Sequence, residues 1–357
     1  MSTRLREARR ALLAGMVVVA AALALVGVPW LRRAGPPLRW EDAEAQQVVI
    51  VAVGDVMLDR GVGGKIGRHG ATHVFAHVKD ELADGDLRFC NLESPISATG
   101  PHAPRACVFR ASREAIGALT DAGLDIVSIA NNHAMDARRE GLQNTMTALA
   151  QNRIGFAGAA WAEGGEPPSA MLRVNGIRLR FLAFTDIGRG DARVSPESHA
   201  EALAQVQKAK EKADLLVASV HWGSEYRRRP SEWQQRFAHA LLEAGADIVL
   251  GHHPHVLQGV EAVDGKLICY SMGNFVFDQR GRERMESAIF RIRYEEGEGF
   301  SLRLRPVWIP RATFAPELCD QDRGGTILER MRGLCKELGT GMRIEGDVGV
   351  VETGTGG

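Results

Sequence analysis

The chain has 357 residues, room for one large domain or two small ones. Lys and Arg (44) balance Asp and Glu (44), so the formal net charge is zero; with no basic face implied, nucleic acid is not an expected partner. Five cysteines, at 90, 107, 269, 319 and 335, form no CxxC pair or zinc-finger spacing, which argues against a thiolate metal site.

Residues 1–10 carry four arginines and one glutamate, and residues 11–31 follow without a charge. That run can span a hydrocarbon core of ~30 Å, so the chain reads as a single-pass membrane protein with a transmembrane helix at 11–31. The competing reading is a cleavable signal peptide. The dense N-terminal arginines place residues 1–10 in the cytoplasm and the body outside it. Residues 32–46, rich in Pro, Gly and charge, form a linker. The main domain is expected at 47–313, with a C-terminal extension at 314–357.

Residues 48–53 are wholly apolar, as in a strand buried on both faces, and end in Gly54-Asp55. A helix is expected over 74–83. Leu87-Arg88-Phe89-Cys90 then leads into Asn91-Leu92-Glu93. A helix at 112–122 precedes a strand at 124–130 that ends in Asn131-Asn132-His133, and another helix runs to about 152. A strand at 177–184 ends at Thr185-Asp186. A charged helix at 199–213 leads to a strand at 214–220 that ends in His221-Trp222-Gly223. Pro230, Trp233, Phe237, Leu241 and Leu242 mark an amphipathic helix. The apolar run 246–250 then ends in Gly251-His252-His253-Pro254-His255. A strand at 266–270 ends in Ser271-Met272-Gly273-Asn274. Alternating strands at 288–295 and 302–309 close the pattern.

Strand alternating with helix predicts an α/β fold with a parallel or mixed sheet. In such folds ligands bind beyond the carboxyl ends of the strands. Here those ends carry Asp55, Asn132 with His133, Asp186, His221, His253 with His255, and Asn274. Residues i and i+2 of an extended segment face the same side, so His253 and His255 are expected to aim two imidazoles at one point. Asp55, Glu93, Asn132, His221, His253 and His255 make a mixed oxygen and nitrogen ligand set suited to Mn, Zn or Fe. Two carboxylates, an amide and three imidazoles are what two adjacent divalent metal ions require. His133, next to Asn132, is placed as a general acid. Asp186 reads as structural, and Glu225 either lies near His221 or is solvated.

Six ordered segments carry a resemblance. Gly54-Asp55-Val56-Met57-Leu58, Asn91-Leu92-Glu93-Ser94-Pro95-Ile96, Ala130-Asn131-Asn132-His133-Ala134-Met135-Asp136, His221-Trp222-Gly223-Ser224-Glu225-Tyr226, His253-Pro254-His255-Val256 and Ser271-Met272-Gly273-Asn274-Phe275 resemble the CapA family of capsule and poly-γ-glutamate biosynthesis proteins over about residues 48–280. That family is similar to the calcineurin-like metallophosphoesterases. The resemblance implies a four-layer α/β/β/α sandwich of two mixed sheets with flanking helices, preceded by the transmembrane helix, and a two-metal site at strand ends. It makes Asp55 the first ligand and Glu93 the stand-in for a bridging aspartate. Asn132, His221, His253 and His255 become the remaining ligands, and His133 the acid. Asn91, Asn131, Asp136, Glu225 and Asn274 fall in the same motifs as supporting or substrate-contacting residues. Met57 stands where the broader superfamily has His, Glu93 where it has Asp, and Ala137-Arg138 where the family has an aromatic and Gly.

The resemblance implies a membrane-anchored protein of polymer synthesis or export with a phosphoesterase-like hydrolase site. Its partners would be an anionic polymer or phosphoester substrate and capsule synthase subunits. The alternatives are a non-catalytic scaffold of a synthase complex and a general phosphoesterase unconnected with capsule.

Overall fold

The computed structural model describes residues 46–97, 107–159, 169–187 and 198–353. The expected membrane helix at 11–31 lies outside the described residues. Among those described, no helix is long and apolar enough to cross a membrane.

The chain begins with β1 (Gln47–Val56), α1 (Arg60–His69), α2 (Lys79–Ala83) and β2 (Leu87–Leu92). It continues through α3 (Ile116–Asp121), β3 (Ile126–Ser128), α4 (Arg138–Gln151) and β4 (Gly155–Ala157). Next come β5 (Ala170–Val174), β6 (Ile177–Thr185), α5 (His199–Lys210), β7 (Leu215–His221), α6 (Glu232–Glu243) and β8 (Ile248–His252). β9 (Val260–Val263), β10 (Lys266–Cys269), β11 (Asn274–Val276), α7 (Arg282–Met285), β12 (Glu286–Glu295) and β13 (Gly299–Trp308) follow. β14 (Glu317–Leu318), α8 (Gln321–Glu337), β15 (Arg343–Glu345) and β16 (Val348–Glu352) end the described chain.

Two mixed sheets result. The first runs β15-β16-β13-β12-β1-β2-β3-β4, with β11 beside β1 and β14 beside β13. Its β1-to-β4 half is parallel and its β12, β13, β16 and β15 half antiparallel. The second runs β5-β6-β7-β8-β10-β9, parallel but for its two edge strands.

Side-chain alternation sets the layers. Ile50, Ala52 and Phe89 of the first sheet share one core with Leu179, Phe181, Val217 and Leu250 of the second. Phe89 and Phe181 stack across it, ring centroids 5.5 Å apart. Val51, Val53, Cys90 and Val127 face the opposite way, onto apolar residues of α1 to α4. Leu182, Phe184, Leu216 and Val249 face out onto α5 and α6. The described residues therefore stack helix, sheet, sheet and helix. The stretch after residue 314 adds β16 to the edge of β13 and sends Ile327, Leu328, Met331 and Leu334 of α8 into the core between the sheets.

Three local expectations change. The helix expected over 74–83 is helical only over Lys79–Ala83. A helix with four glycines, α1, was not expected; its buried Val62 and Ile66 supply its packing. His253 and His255 are not an extended pair: both have positive φ, 94° and 58°. A tight turn, not strand alternation, brings them inward.

Register lines up the polar strand ends. Asp55 pairs with Asn91 on one side and Asn274 on the other. His221 pairs with His252 in the second sheet. Two glycines let backbones close around this row. A Cβ at Gly54 would lie 2.0 Å from the Gly273 carbonyl, and one at Gly251 would lie 2.0 Å from that of Tyr270.

Candidate metal centre

The centre forms where the two rows of strand ends face each other. Asp55 is fully buried and surrounded by donors. Asn91 Nδ2 donates to Asp55 Oδ1 at 2.9 Å and His252 Nδ1 to the same oxygen at 3.1 Å. His255 Nδ1 lies 3.2 Å from Oδ2, and the His253 amide donates to Oδ2 at 3.3 Å. Burial pushes the Asp55 carboxyl up, but the hydrogen bonds and charges of His252 and His255 outweigh it and hold the group well below the usual range.

Glu93 is the opposite case. It too is fully buried, yet neither carboxylate oxygen has a hydrogen-bond partner. His255 Nε2, His133 Nε2 and His221 Nε2 stand around Oε1 at 3.7, 3.8 and 3.9 Å, too far for hydrogen bonds. Burial, and then the nearby Asp55 charge, push this carboxyl well above its ordinary range.

The imidazoles are held from behind. His255 Nδ1 faces Asn274 Oδ1 at 2.9 Å as well as Asp55, so it carries the proton and leaves Nε2 free to ligate. His221 Nε2 is 2.9 Å from Asn132 Oδ1 and 3.1 Å from His253 Nδ1. Burial, and then the neighbouring His253, lower His221 well below the usual imidazole range. Burial and His255 bring His253 down to about 4. Both are neutral at physiological pH, as a metal ligand must be.

Ligand atoms fall into two groups within 4.8 Å, Glu93 with His221 and His253, and Asp55 with Glu93 and His255. Glu93 belongs to both. Its two unpartnered oxygens, buried among the imidazoles of His221, His253 and His255, are what cation binding would satisfy, so the donor set fits divalent metal.

His133 sits at the edge of this pocket. Its Nδ1 is 2.7 Å from Asp136 Oδ2, which fixes the ring, while Nε2 faces Glu93. Phe109 stacks on the ring with centroids 4.0 Å apart, and its amide donates to Asp136 at 2.7 Å. Asn131 Oδ1 accepts from the His133 amide, and Asn131 Nδ2 donates to Asn91 Oδ1 at 3.1 Å.

The structure thus brings Asp55, Asn91, Glu93, Asn131, Asn132, His133, Asp136, His221, His253, His255 and Asn274 together. Glu225 lies outside, on an exposed turn, though its charge reaches Glu93 and His253. Asp186 pairs with His199 at 3.2 Å. Sequence reasoning missed His252, Phe109 and Arg60. His252 adjoins the paired histidines in the same motif and ends β8, which was signal enough. Arg60 lies over the Phe109 ring at 4.9 Å, and nothing in the sequence links those two residues. Met57 is buried and its Sδ accepts from the Asp59 amide at 3.1 Å, so no imidazole stands there.

Fold and site together define a two-sheet α/β protein with a buried histidine and carboxylate centre at its strand ends. The chain belongs to the bacterial capsule synthesis protein family PGA_cap, whose model matches residues 49–279. It is 31% identical to the PGA biosynthesis protein CapA of Bacillus subtilis over 303 residues, 82% of this chain and 79% of that protein. It is 32% identical to the capsule biosynthesis protein CapA of Bacillus anthracis over 283 residues, 75% of this chain and 69% of that protein. A likeness to the crystal structure of a novel phosphatase from Mycoplasma pneumoniae covers 76% of this chain and 92% of that one, at 12% identity and a TM-score of 0.45.

Proposed function

We propose that this chain serves the synthesis or export of poly-γ-glutamate or a related anionic polymer, and that its buried centre is a metal-dependent hydrolase site of phosphoesterase type. The names of the two Bacillus relatives support the first half. The observation that carries the second is Glu93, a fully buried carboxylate with no hydrogen-bond partner, shared between two ligand groups.

Two divalent ions, Mn, Zn or Fe, would be held by Glu93, His221, His253 and Asn132 on one side and by Asp55, Glu93 and His255 on the other. When bound, such ions supply Lewis-acid polarisation and neutralise charge. The protein's own residues do the rest. Asn274 and Asp55 fix the His255 tautomer. His252 and His255 keep Asp55 ionised, and Asn91 holds it in place. His133 holds a proton at Nε2 for a leaving group, and Asp136 keeps the ring aimed and stabilises its charged form. Phe109 covers one face of that ring and keeps water off it. The uncharged run at 11–31 and the N-terminal arginines support a single-pass anchor with this site outside the cytoplasm.

One observation favours a second reading, a non-catalytic subunit of a synthase complex: Met57 supplies no ligand beside Asp55. The two readings part on metal content and phosphodiester hydrolysis of the detergent-solubilised chain. Bound metal, with turnover lost in His253→Ala and His133→Ala, supports the hydrolase. No turnover on any phosphodiester or polymer, with metal bound or not, leaves the scaffold.

A further inference from the structure

Tyr226 is one of two large apolar side chains left exposed among the described residues, at 44%. It stands beside the centre, its ring 6.3 Å from that of His255. Its backbone is left-handed, at φ 64°, and its amide donates to the Pro254 carbonyl at 2.8 Å, so the turn of the paired histidines holds it in place. The guanidinium of Arg284 lies over the ring, 4.5 Å from its centroid.

Arg284 differs from the arginines around it. Arg282 pairs with Glu286 and Arg228 with Glu283. Among the described residues, no carboxylate lies within ion-pair distance of Arg284, although the residue is only half-exposed. Its position is tied to the centre, because Asn274, which holds His255, donates to the Arg284 carbonyl at 2.9 Å. Gly281, at φ 114°, leaves room for the guanidinium: a Cβ there would lie 2.6 Å from Arg284 Nη2. This guanidinium, bonded to the Tyr226 side chain but to no carboxylate, presents a planar fork that matches one.

We infer that Arg284 and Tyr226 form a docking clamp for an acidic chain entering the centre, Arg284 taking a substrate carboxylate and Tyr226 packing against the apolar chain between carboxylates. Glu225 flanks the clamp and opposes excess negative charge, which limits how tightly the chain is held. The inference rests on the reading of the substrate as an acidic polymer, and it assigns specificity to residues that bind no metal.

The test is calorimetric titration of the full chain in detergent with saturating Mn²⁺, against two probes: a γ-linked glutamate oligomer of defined length and inorganic phosphate. Arg284→Gln should weaken oligomer binding about tenfold or more, the worth of one charge-assisted bidentate contact, with Arg284→Lys between it and wild type. Tyr226→Ala should weaken it several-fold, and Glu225→Gln should tighten it. Phosphate affinity and metal content should stay within about twofold in every variant, since one point charge at the rim is worth little. Unchanged oligomer affinity in Arg284→Gln would overturn the clamp. So would equal loss of phosphate binding, or a wild-type chain that ignores the oligomer. Failure of the hydrolase reading would appear elsewhere, as missing metal or turnover in the wild type.

Discussion

Replacing Glu93 by glutamine separates what the centre costs the metal-free fold from what it gains by ligation. In the metal-free protein both Glu93 oxygens are buried and unpartnered. Each such atom costs about 1–3 kcal/mol. The glutamine amide removes the charge and can donate to one of the imidazole nitrogens now 3.7 to 3.9 Å away. The chelated variant should therefore be more stable than chelated wild type by about 1–3 kcal/mol. For a domain of this size that raises the melting temperature by about 2–5 °C. With metal the order reverses. Wild type at a thousand times its Kd gains about 4.1 kcal/mol, and the variant, lacking the shared ligand, gains little. Differential scanning calorimetry of both chains, with EDTA and with excess Mn²⁺ or Zn²⁺ at pH 8, reads all four states. A chelated variant that melts several degrees below wild type, or a metal-induced shift equal in both chains, would refute the reasoning.

His133→Ala should cut turnover about 10²–10⁴-fold with metal content unchanged, as expected for a lost general acid. Asp136→Asn should cost less, about 10–100-fold, because the ring stays but its orientation and charge lose their partner; steady-state kinetics with metal analysis checks both. His253 has a folded value of about 4 against an ordinary 6.5, so the unfolded chain takes up the proton first. Stability should then be full above about pH 6.5 and fall by about 3 kcal/mol down to pH 4. Urea melts of chelated Glu93→Gln read this without the opposite slope of Glu93, and a flat profile would contradict it. Gly251→Ala, which would set a methyl 2.0 Å from the Tyr270 carbonyl, should destabilise the fold by about 3 kcal/mol, measured as a lower urea midpoint.

The longer parallel strands were legible because they are apolar runs that end on polar residues, as in β1 with Asp55 and β7 with His221. In-register pairing then gathers those ends, so most of the centre could be read without coordinates. The edge elements were not legible. β4 is three residues long and β14 two, too short for any periodicity, and the glycines of α1 hide a helix made stable by tertiary packing. The paired histidines both line the centre, but each joins a different ligand group, and their positive φ depends on the surrounding structure and not on spacing. The stack of Phe109 on His133 and the placing of Tyr226 beside Arg284 join residues far apart in sequence, which no local pattern encodes.

The central claim is that Glu93 is a ligand shared by two metal positions. An anomalous-scattering crystal structure of the Mn²⁺- or Zn²⁺-loaded protein tests it directly. The account predicts two peaks, one against Glu93, His221 and His253 and the other against Asp55, Glu93 and His255. A loaded crystal with no peak at Glu93, or with metal held only by residues away from the strand ends, would contradict it.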